Sequence, residues 1–505
     1  MATAARATRY LIRGGRIYDH GGDVHQPASA DLLIDGETIA RIAPSIVPVD
    51  GVEVIEAKDK LVVPGFVNAH YHSHDVLMKG MFEEMPFDIW ALHSNLANYA
   101  PRSQEEVRIR TLIGAAEMLR NGITTVQDFL TIVPADEAYV DTVLSAYAEA
   151  GIRVSFGIAA RDRAALDIAP LMAKNLPEEI KRRIAGTDRS ARQELDFIAG
   201  QIKRLGMTPR PLATWALTPS APQRCSDELL EGIAALSREH HLPVFTHVYE
   251  TRAQAAASRV QSNSLLDVLA RTGLLGERLN LVHGVWLSAS DIAKLAQARA
   301  RVVHNPISNL KLKSGVAPIL DLERAGVEVA LGCDNYSCAE TQNIFVAMRM
   351  MCLLPAVTSI EPHGIVAAHA LRAATLTGAK CCGLEGKIGA LSEGMAADLM
   401  ILDVTEPAFV PFNSAARQIV FAEAGGAVET VFVAGRPVVR NRKLITVDEQ
   451  RLAAEAARIS PAFRREVAGV AARNRDLIAP LLDGNRSSWK VQLGIARYVG
   501  GPKDS

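Results

Sequence analysis

His70 and His72, two residues apart in VVPGFVNAHYHSH (62–74), are the first pair in this chain whose types and spacing suggest chemistry. Side chains on a β-strand alternate between faces, so positions i and i+2 point the same way. Two imidazoles at one strand end can therefore grip a single metal ion. Leu61, Val62 and Val63, then Pro64-Gly65-Phe66-Val67, lead into the pair as an apolar, partly β-branched run. That is the pattern of a buried strand delivering ligands at its C-terminal end. A lone His-x-His is commonplace, and this pair gains weight from its company. His247, His283, His304 and Asp334 each fall at the C-terminal end of another apolar, β-branched segment. Three neutral imidazoles and a carboxylate suit a divalent ion such as zinc or iron. Glu250, three residues beyond His247, begins the following loop, where it could carry a proton between water and a leaving group. Taken singly, each residue is as readily a hydrogen-bonded structural histidine or a solvated carboxylate.

To act together, these residues need strands that all end on one face. Eight segments qualify. After the His70 strand come GITTVQDF (122–129), GIRVSFGIAARD (151–162) and PLATWALTPS (211–220). LPVFTHVYE (242–250), LNLVHGVWLS (279–288), ARVVHNPISN (300–309) and VEVALGCDN (327–335) complete the set. Helical stretches separate them, among them RIRTLIGAAEMLRNG, which ends on the glycine a helix C-cap favours. Eightfold strand–helix alternation predicts an α/β fold, a (β/α)₈ TIM barrel over 63–385, and barrel enzymes build their sites at the C-terminal strand ends. Short strands with Gly, Asp and Pro breakers fill 1–62 and return over 386–445, which predicts a small composite β-sandwich built from both termini. Residues 446–505 are Ala/Arg-rich, a helical C-terminal extension ending in a polar GGPKDS. The expected role of that extension is packing on the barrel or on a neighbouring subunit.

Composition narrows the function classes. The chain has 505 residues, 49% hydrophobic and 22% charged, with 55 basic against 56 acidic side chains and a formal net charge of -1. Without a basic excess or a long Lys/Arg run, no nucleic-acid partner is expected. The six cysteines form no Cys-x-x-Cys pair, so a reducing compartment is the simpler expectation. MATAARATRYLIRGG has no apolar core of signal-peptide length, and no stretch reaches the roughly 18 apolar residues that span a bilayer. A cytoplasmic protein with no membrane partner is expected. The His-x-Glu…Pro-Cys-x-x-Cys signature of cytidine-type deaminases and a Gly-rich phosphate loop are both missing.

From 8 to 445 the chain resembles the amidohydrolase superfamily, specifically the metal-dependent branch of cytosine, guanine and adenosylhomocysteine deaminases and the triazine hydrolases such as atrazine chlorohydrolase. The resemblance rests on VVPGFVNAHYHSH, NGITTVQDF, FTHVYE, LVHGVWLS, VVHNPISNLKLKSGVAPI, LGCDN and GKIGALSEGMAADLMILD. It implies His70, His72, His247 and Asp334 as metal ligands and Glu250 as the proton shuttle. His283 would hold the hydrolytic water or contact the metal at longer range, and Asp334 would double as the base that forms metal-bound hydroxide. One divalent ion per subunit is implied, zinc favoured, with iron, cobalt and manganese sharing the same ligands. The two-metal members use a bridging lysine or glutamate at a mid-barrel strand end, and this chain has neither there.

The implied reaction is hydrolysis of a C–N bond, other than a peptide bond, in a small molecule: an N-heteroaromatic amine, amide, urea or carbamate. Where purine deaminases of this group carry Pro-His-Ala-Pro, this chain has Pro219-Ser220-Ala221-Pro222. Asn335 follows Asp334, as in the triazine chlorohydrolase, where nucleoside deaminases have glycine. Both departures weigh against a purine nucleoside and keep three alternatives open: a triazine-type dechlorinase or alkylaminohydrolase, a purine- or pyrimidine-type deaminase, and, from another class, a non-catalytic binding barrel. Met85, Phe87 and Trp90 in MFEEMPFDIWAL resemble the family's lid. With Ser220, His304, Asn305, Asn309 and Asn335 they are the candidate substrate contacts. A homo-oligomer, dimer or tetramer, is expected.

Overall fold

The computed structural model describes residues 9–133, 135–163, 171, 189–207, 210–358 and 364–498. The GGPKDS end lies outside them. Five N-terminal strands, β1 (Arg9–Ile17), β2 (Ser29–Asp35), β3 (Thr38–Ala43), β4 (Val52–Glu56) and β5 (Lys60–Pro64), precede the barrel. The barrel strands are β6 (Phe66–Tyr71), β7 (Ile123–Leu130), β8 (Arg153–Ala160), β9 (Ala213–Trp215), β10 (Thr218–Pro219), β11 (Val244–Val248), β12 (Leu279–His283), β13 (Arg301–His304) and β14 (Val329–Leu331). Four more follow: β15 (Leu399–Asp403), β16 (Val428–Val433), β17 (Arg436–Arg440) and β18 (Lys443–Leu444).

Strands from both ends share one nine-stranded sheet, in the order β18-β17-β16-β15-β5-β1-β2-β3 with β4 also on β1. The two sheets expected of a sandwich are thus one hydrogen-bonded sheet curled over itself. Tyr10 on β1 packs edge-on against Phe432 on β16 with ring centres 5.2 Å apart. Three steps of flat sheet would separate those strands by about 14 Å. The curl starts at Gly14-Gly15, where β1 is bulged and passes from pairing β4 in its first half to pairing β5 in its second. Gly14 has φ +73, and a Cβ on Gly15 would press on Val62 at 3.0 Å and Ala57 at 3.1 Å.

In the barrel, β6 to β8 pair in parallel, and β9 and β10 both pair with β8. PLATWALTPS is therefore two short strands; Pro219, without an N–H, ends the second. Leu217 bridges to Val244 of β11, and β11 to β14 continue in parallel. The seam closes where the Cys333 and Asp334 amides donate to the His70 carbonyl at 3.2 and 2.9 Å. Ala69, Phe129, Phe245, Val282, Val303 and Ala330 pack together from strands around the ring. Only the barrel interior allows that. The nine-stranded sheet is bolted to the barrel by Arg153, which reaches both carboxylate oxygens of the buried Asp398 at 3.0 Å.

The helical extension is present. Helices Glu449–Arg473 and Arg475–Ser488 lie on the barrel, with Phe463, Val467 and Val470 against Met78 and Tyr99, and Arg102 paired with Glu466 at 2.6 Å. Leu477 and Leu481 cover Ile89 and Leu92 on the outer side of helix Phe87–Ser94. Among the described residues, no helix is long and apolar enough to cross a membrane.

Candidate metal centre and substrate cavity

The parallel strands bring His70, His72, His247, His283 and Asp334 together at one end of the barrel. The His70 and His72 Nε2 atoms are 3.1 Å apart, and they lie 3.6 and 3.5 Å from Asp334 Oδ1. Four donors at 2.0–2.1 Å from one tetrahedral ion would sit about 3.4 Å from each other. His70, His247 and His283 form an overlapping group whose ligand atoms lie within 4.8 Å of one another.

Three of the four rings, those of His72, His247 and His283, are turned by a bond on the far nitrogen. Nδ1 of His72 donates to the Phe129 carbonyl at 2.6 Å, and Nδ1 of His247 donates to the Ser220 carbonyl at 2.7 Å. A carbonyl only accepts, so both tautomers are fixed and each Nε2 presents a lone pair to the centre. His283 Nδ1 lies 2.8 Å from Asn309 Oδ1 and farther, 3.4 Å, from Asn305 Nδ2, so the shorter bond to Asn309 orients it. Burial pushes the pKa values of His70, His72, His247 and His283 down, that of His70 to about 4, so all four are neutral at pH 7. Burial pushes the Asp334 pKa up, but its close neighbours His70, His283 and His72 outweigh that and hold it well below the usual carboxylate range. Neutral lone-pair donors converging on one anionic oxygen pair fit a divalent cation.

The backbone is strained here. His283, Asp334 and Tyr249, the residue before Glu250, have φ of 72, 66 and 50. Side-chain-bearing residues rarely adopt that region, and it is favoured where a site over-determines the conformation. Gly332 permits the closest approach, because a Cβ there would fall 2.8 Å from the His70 Cβ and 2.2 Å from Asn305 Oδ1. Glu250 is 2% exposed, with Oε1 at 3.8 Å from His283 Nε2. His283 Nε2 is also 3.8 Å from Asp334 Oδ2.

A cavity of about 450 Å³ opens above this cluster, lined by His72, His247, Glu250, His283, Asp334 and Asn335. Phe87, Trp90, Phe129 and Leu312 supply apolar wall, and Ser220 lies on the rim of β10. Four expected substrate contacts sit elsewhere. Met85 packs behind Phe87 and Trp90, and its amide is tied to the Lys311 carbonyl. His304 is 1% exposed and does not reach the cavity. Asn305 and Asn309 stand behind His283, since Pro306 starts a helix that carries Asn309 back over that ring. The Asn309 amide orients a histidine, with Asn305 beside it, where the sequence suggested contact with substrate.

Several lining residues escaped the sequence reading. Arg161, Arg189, Arg224 and Glu194 form a charged side of the cavity, with Arg224 stacked over Phe87 at 5.3 Å. His74 lines it too. Phe129 wedges between His70, His72 and His247 at ring distances of 5.7, 5.3 and 4.7 Å. Its signal was the NGITTVQDF motif; loop arginines have no comparable spacing.

A model described as the amidohydrolase family matches residues 61–438. The chain is 32% identical over 444 residues to a 5-methylthioadenosine/S-adenosylhomocysteine deaminase of Pyrococcus abyssi, covering 88% of this chain and 96% of the relative. The fold matches a zinc-bound adenosine deaminase from Xanthomonas campestris with a TM-score of 0.78 at 27% identity, covering 90% of this chain and 98% of that one. A zinc-complexed atrazine chlorohydrolase from Arthrobacter aurescens TC1 shares the fold, with a TM-score of 0.77 at 23% identity over 90% of this chain and all (100%) of that one.

Proposed function

This chain belongs to the amidohydrolase family, and from that premise we propose that it hydrolytically removes an amino group from an N-heteroaromatic ring in a nucleoside-like small molecule. It is a hydrolase of C–N bonds other than peptide bonds. The observation that carries the reading is the convergence of His70, His72, His247 and Asp334 beneath a cavity that also holds Glu250 and His283. The chemistry a divalent ion would supply there, zinc being favoured, is a water acidic enough to attack an sp² carbon at neutral pH.

The chain's own groups do the rest. Asp334, ionised and buried, accepts the proton that water loses. His283, held by Asn309, orients the attacking oxygen through Nε2. Glu250 carries a proton to the departing nitrogen, so that the new C–O bond is matched by a broken C–N bond and released ammonia. Phe87, Trp90 and Phe129 suit a flat ring, and the Arg161–Arg224 side suits a polar substituent on it. The P. abyssi relative's name supports an adenosyl-type substrate. Ser220 and Asn335 favour a second reading, displacement of chloride or an alkylamine from a triazine-like ring. The working form in this reading is a cytoplasmic homo-oligomer; the six buried, unpaired cysteines suit a reducing compartment.

A panel of 5′-substituted adenosines, aminated heteroaromatics, phenylureas and chlorotriazines, scored for ammonia, amine and halide, tests the assignment. Ammonia from the adenosine-type compounds is expected. Halide or alkylamine as the main product would replace the first reading with the second.

A further inference from the structure

We propose that Asp75 and Ser337 are positioning residues that hold the Trp90 ring against the substrate, a role that rests on the hydrolase reading above. Trp90 lies on the inner side of helix Phe87–Ser94, lines the cavity and is 9% exposed. Its indole N–H donates to Ser337 Oγ at 2.9 Å. Ser337 is fully buried, and its hydroxyl donates in turn to Asp75 Oδ2. Asp75 is also fully buried; it accepts the Tyr336 amide at 3.2 Å and the Ser337 amide at 3.1 Å. No cation pairs with it among the described residues.

An indole N–H can only donate and an ionised carboxylate can only accept, so the chain runs in one sense, from Trp90 through Ser337 to Asp75. Hydrogen bonds to a charged acceptor are the stronger kind, and a bonded neighbour polarises the next. Asp75 sits three residues past His72, and Ser337 three residues past Asp334. The chain therefore ties the cavity wall to both loops that carry the metal-ligating candidates. Without its acceptor, the indole keeps its apolar neighbours Phe87, Leu312 and Cys338 but loses the one bond that sets its ring orientation. Substrate binding, more than the chemical step, should feel that loss.

The test compares wild type, Ser337→Ala, Trp90→Phe and the double variant in the full chain. Ser337→Ala is expected to raise KM about tenfold, the loss of one buried hydrogen bond, with kcat within about threefold. The double variant should bind no worse than Trp90→Phe alone, because the coupled pair is already broken. In ¹⁵N-tryptophan-labelled protein, the four tryptophans give four indole signals. The one missing from Trp90→Phe should exchange slowly with solvent in wild type, and shift and exchange fast in Ser337→Ala and Asp75→Asn. Additive effects on KM, or an indole signal indifferent to both substitutions, would overturn the proposal. No turnover by the wild type on any amine would sink the hydrolase reading instead, since the indole signal is read without substrate.

Discussion

Replacing Asn309 by leucine removes the acceptor that orients His283. Asn309 is 2% exposed, and its Oδ1 accepts from His283 Nδ1 at 2.8 Å. Leucine has a similar shape but offers no acceptor. The buried Nδ1–H would be left unpaired at a cost of about 1–3 kcal/mol, and the ring could escape that cost by changing tautomer or rotating. Either escape takes the Nε2 lone pair away from Asp334 and Glu250. Removing the partner of a site histidine typically lowers activity about 10- to 100-fold, which is the expected fall in kcat for Asn309→Leu. KM should stay within about threefold, because Asn309 does not line the cavity and truncating it removes no substrate contact. The assay is steady-state ammonia release across substrate concentrations, with metal content measured on the same preparation. A raised KM with kcat intact would refute the reasoning, and would return Asn309 to the substrate-binding role its HNPISN motif suggests.

Gly332→Ala should lower metal content and cost about 1–3 kcal/mol in denaturant unfolding, since the new Cβ would sit 3.0 Å from the His70 backbone nitrogen, which cannot move cheaply. Arg153→Ala leaves Asp398 buried and without its ion-pair partner, so unfolding stability should fall by about 3–5 kcal/mol while metal content matches the wild type. His20, away from the metal-centre histidines, contributes its own part of the pH dependence: burial and Arg372 hold its pKa down at about 4, against 6.5 unfolded. The unfolded chain takes up that proton as pH falls below 6.5 and the folded chain does not until about 4. Stability from this group is thus full above pH 6.5 and is lost on acidification, by up to about 3 kcal/mol. His20→Gln should unfold with a flatter dependence on pH between 6.5 and 4; parallel curves would remove His20 from the account.

The barrel was legible because each strand is a short β-branched run closed by a breaker, and because histidines recur at the run ends. His70, His72, His247, His283 and Asp334 needed only strand periodicity to be grouped. Asn305 and Asn309 were legible as polar residues near the site, but not as supports of His283, because the turn at Pro306 that points them backwards is a three-dimensional fact. Arg161 and Arg224 read as ordinary loop charges, since nothing in their spacing shows that their loops converge over Phe87. Asp75 lies one residue past the motif that carried the most weight. An aspartate three residues past a ligand histidine invites a solvent-exposed reading, and only the fold brings Ser337 and Trp90 to it. The curl of the terminal sheet was equally invisible, because it depends on β1 changing partners at Gly14-Gly15.

Metal stoichiometry of the purified chain and of His247→Ala, measured together with turnover, tests the central claim most directly. The predicted result is about one divalent ion per wild-type chain, mainly zinc, and a folded His247→Ala with less than about a tenth of that ion and no ammonia release. Full turnover by metal-free wild type, or a His247→Ala variant that keeps both its ion and its activity, would contradict it.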